Sequence, residues 1–120
     1  MAKNLEISML MDFYGEMLTD KQKEVVSLYY NEDLSLAEIA QIAQITRQGV
    51  RDSIKRGEAT LIEMEERLGL ARKFRQMEED LGGIIRCAKE IVFLAEEMPR
   101  SQPLIDQALE IERIADRLME

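Results

Sequence analysis

Five residues within one turn-and-helix segment carry the side chains that could do chemistry here: Arg47, Gln48, Arg51, Lys55 and Arg56. Arginine can pair with a guanine edge and glutamine with an adenine edge, which suits Arg51 and Gln48 to base reading. Arg47, Lys55 and Arg56 suit phosphate contacts, which position a protein without reading sequence. Rotation by about 100° per residue puts Val50 and Ile54 on one side of a helix and Gln48, Arg51, Asp52 and Lys55 on the other. Asp52 lies at the centre of that outer face. It can accept from a cytosine amino group, and it repels phosphate.

The elements that must hold this face are also legible. Ser35, with Glu38 three residues on, forms a capping-box pattern that opens a helix. Ile39, Ala40, Ile42 and Ala43 are expected to form its inner face, with Ala40 as the small residue at the helix crossing. Gln44 occupies a turn position where left-handed backbone is needed and glycine is usual. Thr46 then caps the next helix. Two short helices joined in this way read as a helix-turn-helix, whose second helix enters a DNA major groove.

Around this motif the apolar spacing is helical throughout. Ile7, Leu10, Met11, Tyr14, Met17 and Leu18 predict a helix over 4–18, and Thr19 caps a second one bearing Val25, Val26, Leu28 and Tyr29. Val50, Ile54, Gly57, Leu61, Met64 and Leu68 carry the helix of the motif onward until Gly69 ends it. Phe74, Met77, Leu81, Ile84, Ala88, Ile91, Ala95 and Met98 alternate steps of three and four, a full heptad seam. Ile85, Val92 and Leu94 widen that face, as in a helix bundle. Cys87 reads as a small buried hydrophobe beside the seam. Gly82-Gly83 is expected to weaken or kink the helix. Pro99 and Pro103 mark a break, and Leu104, Ala108, Ile111, Ala115 and Leu118 predict a last helix.

The expected fold class is therefore all-α, with about six helices. The expected domains are a helix-turn-helix domain over 1–68 and a C-terminal helical hairpin over 69–120 that packs on it. The apolar excess at Ile91–Ala95 predicts a homodimer.

Composition narrows the function. The 120 residues include no histidine and one cysteine, which removes the usual general base and any internal disulfide. No phosphate-binding glycine loop, cofactor motif or metal-ligand set is present, and the expectation is a chain with no catalytic residues. Glu78-Glu79-Asp80 and Glu96-Glu97 read as solvated helix faces. No run reaches membrane-spanning length and no secretory pattern opens the chain, so a cytoplasmic protein without membrane insertion is expected. The formal net charge is −8, distributed unevenly: −4 over residues 1–34, +1 over 35–58 and −5 over 59–120. Only the motif segment escapes the acidic balance. An acidic surface attracts basic proteins, so a protein-interaction adaptor that does not bind DNA stands as the alternative.

The segment 18–62 resembles region 4 of bacterial sigma factors. MDFYGEMLT at 11–19, LYYNEDLSLAEIA at 28–40 and ITRQGVRDSIKR at 45–56 resemble the YlxM family of helix-turn-helix proteins, a likeness that covers residues 5–75. The resemblance implies a small bacterial regulatory protein. It also implies a link to the signal recognition particle pathway, whose component genes lie beside those of the family. It brings no catalytic residues.

Overall fold

The computed structural model describes residues 3–119. Among them are six α-helices and no strand: α1 (Glu6–Tyr14), α2 (Asp20–Tyr30), α3 (Leu36–Ala43), α4 (Arg47–Leu68), α5 (Leu70–Ala95) and α6 (Gln102–Met119). A short 3₁₀ turn, Gly15–Met17, follows α1. The first helix is thus shorter than its spacing suggests, and Met17 is exposed instead of joining the apolar stripe. The chain divides into two compact units, with the boundary between Ala71 and Arg72.

In the first unit α4 is the central element, packed by α1, α2 and α3. One part of its core gathers Ile7, Leu10, Tyr14, Val26 and Leu61. The other gathers Val25, Tyr29, Ile39, Val50 and Ile54. Each large aliphatic side chain sealed here contributes about 1.5–3 kcal/mol from burial. The helices can close because Gly57 of α4 meets α2: a Cβ at that position would lie 2.8 Å from Cγ2 of Val26.

Polar groups lock the same packing. Thr19 caps α2 through a capping box with Gln22. Tyr30 of α2 donates its hydroxyl proton to Glu58 of α4. Burial first, then this bond, pushes the Tyr30 hydroxyl pKa up to about 12. Gly69 ends α4 in left-handed backbone, φ 65°. The following amides are not left bare. Leu70 N–H donates to the Tyr14 hydroxyl at 3.0 Å, and Ala71 N–H to Oε1 of Glu65 at 3.0 Å. Tyr14 in turn donates to Glu65 at 2.7 Å. Orphan donors at a helix start are thereby satisfied by side chains 6 and 56 residues away in sequence.

The second unit is a hairpin of α5 and α6. Its buried residues are Leu81, Ala88 and Ala95 on α5 and Ala108 and Ala115 on α6. Lys89–Glu112 bridges the two helices at 3.7 Å. The glycine pair at 82 and 83 sits inside the unbroken α5 and does not end it. α5 stops at Ala95, before Pro99, and Pro103 takes the second position of α6, where its missing N–H costs nothing.

This packing revises the seam expected from sequence. Phe74, Met77, Ile84, Ile91 and Met98 remain exposed, and only every seventh position, 81, 88 and 95, is sealed. Cys87 is likewise exposed, not buried. It precedes the contact residue Ala88 by one position, a turn of about 100° around the helix, which carries it out of the contact.

Candidate nucleic-acid interface

The helix-turn-helix is built as its local chemistry dictates. Ser35 accepts from the Glu38 amide at 3.1 Å, and the Glu38 carboxylate accepts from the Ser35 amide at 3.1 Å. These bonds hold the Glu38 carboxyl below its usual range. α3 ends at Gln44, which adopts left-handed backbone with φ 58°. Its amide, like that of Ile45 at 3.1 Å, turns back to the Ala40 carbonyl, so the last carbonyls of α3 are not abandoned. Lys21 of α2 adds a cation there, donating to the Ala43 carbonyl at 2.9 Å. Thr46 then caps α4 by accepting from Gly49 N–H at 2.9 Å.

Val50 and Ile54 anchor the start of α4 with no exposed surface, facing Ile39 and Ala43 of α3. Ala40 is half-buried against the same cluster, as a crossing residue should be. Ile42 departs from expectation: it is exposed, because burial of Ile39 and Ala43 rotates position 42 off the contact.

Fixing that inner face fixes the outer one. Arg47, Gln48, Arg51, Asp52, Lys55 and Arg56 are all exposed. Gln48, Asp52 and Lys55 run along the centre, Arg47 and Arg51 along one flank. Arg56 takes the other flank, where it lines a groove of about 450 Å³ with Thr19, Lys21, Gln22 and Ser53. The central aspartate is not bare. Gln48 donates its amide to Asp52 at 3.1 Å, one helical turn away.

Several cations elsewhere in the chain are paired with acids. Lys23 pairs with Glu16, Arg67 with Glu63, Lys89 with Glu112 and Arg113 with Glu110. Among the described residues, no acidic side chain pairs with Arg47, Arg51, Lys55 or Arg56. Four cations within ten residues are therefore held ready on a rigid helix.

Two residues beside this face escape sequence reasoning. Thr19 and Lys21 border it only because α2 packs against α4, and their own segment shows nothing but a helix start. Tyr29 and Tyr30 are withdrawn from base stacking: Tyr29 is buried, and the Tyr30 hydroxyl is bound to Glu58. Among the described residues no group of three or more acidic or cysteine side chains is placed to hold a metal ion, and no helix is long and apolar enough to cross a membrane.

Comparison with known proteins agrees with this geometry. A family model described as "Putative helix-turn-helix protein, YlxM / p13 like" matches residues 1–92. A UPF0122 protein of Acetivibrio thermocellus is 42% identical over 120 residues, covering all of this chain and 97% of the relative. Another from Clostridium kluyveri is 47% identical across 71% of this chain and 77% of its own length. A third, from a Thermoanaerobacter species, is 40% identical over 92% of this chain and 94% of the relative.

Proposed function

The chain belongs to the YlxM / p13-like family of helix-turn-helix proteins, and on that footing we propose that it is a DNA-binding regulatory protein. The observation that carries this reading is the set of four exposed, unpaired cations in the first ten residues of α4. Arg51 and Gln48 read base edges; Arg47, Lys55 and Arg56 hold phosphates. Binding, not catalysis, is the activity. The Gln48–Asp52 bond has a specific consequence: base reading by Gln48 must exchange its amide from Asp52 to the DNA. Paired chains would suit a two-fold DNA site. The resemblance to the YlxM family supports a regulated process in the signal recognition particle pathway.

Selection of duplexes from genomic fragments at low salt tests the reading. The expected result is an enriched sequence whose affinity falls steeply with salt, as counterion release requires. Arg51→Ala should weaken binding to that sequence by about 1–3 kcal/mol. Absence of any enriched sequence overturns the proposal.

The net charge of −8 favours a second reading, an acidic adaptor that binds a basic component of the targeting pathway. It predicts nuclease-resistant recovery of such a component with the tagged chain, unaffected by Arg51→Ala. Recovery of none removes it.

A further inference from the structure

The hairpin of α5 and α6 carries two seven-residue repeats on each helix, with opposite fates. The small repeat, Ala88 and Ala95 against Ala108 and Ala115, is sealed at 0–3% exposure. The large repeat runs beside it: Met77, Ile84 and Ile91 on α5, Leu104, Ile111 and Leu118 on α6. These six are 37–56% exposed. Because the helices are antiparallel, the large repeats of both lie on one side of the hairpin. Their neighbourhood is confirmed by a groove of about 220 Å³ that Ile84 of α5 shares with Ile111, Ile114 and Leu118 of α6. A second groove of about 630 Å³ continues past Ile91.

We propose that this apolar side of the α5–α6 hairpin is the surface on which a second copy of the chain docks, closing an antiparallel four-helix bundle. Area supports that occupant. Six side chains about half exposed leave on the order of 500–600 Å² bare, as much as the largest patch a monomer tolerates. Adding the exposed Leu94 and Ile114 brings the surface near the roughly 800 Å² per partner of a stable interface. Chemistry supports it as well. None of the six is charged, and charge enters only at the edge of the second groove, through Glu79, Asp80 and Arg86. A strict seven-residue repeat on antiparallel helices calls for a partner with the same repeat and the same direction change. A second hairpin supplies that by symmetry, and its side chains fill the two grooves as knobs. The inference uses residues apart from the DNA-reading face and stands or falls without it.

Sedimentation equilibrium of the full chain decides the matter. The expected species has twice the 13.9 kDa chain mass. Ile84→Lys combined with Ile111→Lys should raise the dimer dissociation constant at least 100-fold while far-UV circular dichroism keeps its helical intensity, since neither side chain is sealed within the hairpin. Ile84→Ala and Ile111→Ala, which keep the face uncharged, should each raise it on the order of tenfold. Should the lysine variant lose helix, the alanine pair decides. A wild-type chain that stays at monomer mass overturns the proposal, and so does a dimer whose dissociation constant is unmoved by the alanine variants.

Discussion

The two units of this chain use one sequence pattern in opposite ways. On α4 the stripe of Val50, Ile54, Gly57 and Leu61 steps by four, three and four, and all four are buried. On α5 the stripe from Phe74 to Met98 steps by three and four just as regularly, yet only Leu81, Ala88 and Ala95 are buried. The first unit surrounds its helix with three others, so large side chains face partners on every side of the stripe. The second has one partner helix, the residues sealed against it are mostly alanines, and its large side chains are left exposed. An apolar stripe records that a helix has something to cover; the number of neighbours decides whether it is covered.

Four substitutions can break or sharpen that contrast. The three tyrosines all lie in the first unit, so their fluorescence follows its unfolding, while far-UV circular dichroism follows both units. The largest effect should come from Ile54→Ala. Ile54 has no exposed surface and sits between α2, α3 and α4, so the cavity should cost the first unit about 2–5 kcal/mol in urea unfolding followed by tyrosine fluorescence. A loss below about 1 kcal/mol would mean that this core can collapse around a void, against the close packing argued for it.

In the second unit the opposite change should matter. Ala88→Leu inserts a branched side chain where α5 and α6 touch, and overpacking should cost about 1–3 kcal/mol, read from the circular dichroism transition with the tyrosine transition unmoved. A gain in stability would show that α6 moves away freely and that the alanines do not set the spacing.

The smallest and most discriminating test is one substitution made in both units. Gly57→Ala should destabilise by about 1 kcal/mol, because its Cβ would press on Val26, a buried branched side chain that cannot swing aside. Gly82→Ala should stabilise by up to about 1 kcal/mol, because only the flexible Arg86 guanidinium approaches, at 3.5 Å, and alanine favours the helix. Equal signs from urea unfolding would erase the distinction between a tight and an open helix face.

How much of this was legible in the sequence depends on how local each feature is. Thr19, Ser35, Thr46 and Gly69 end or begin helices by bonds to residues three or four positions away, so their roles follow from spacing alone. Gln44 belongs with them: its left-handed turn was expected from the motif, and it is found at φ 58°. Met17, Ile42 and Cys87 were misjudged. Each lies near an apolar stripe, and its exposure depends on which neighbour arrives and at what angle. The candidate interface divides the same way. That Gln48, Arg51, Asp52 and Lys55 share a side away from Val50 and Ile54 is helical geometry. That Arg56 turns toward Thr19 and Lys21, and that Gln48 is bonded to Asp52, appears only with the side chains in place.

By itself the sequence determined the helices, their caps, the helix-turn-helix and the acidic body around one basic segment. Those follow from bonds and periodicities that span a few residues. Tertiary structure decided which apolar stripes are sealed, how closely α2 meets α4 at Gly57, and which cations stay unpaired. Burial and pairing are relations between distant segments, and no local spacing contains them.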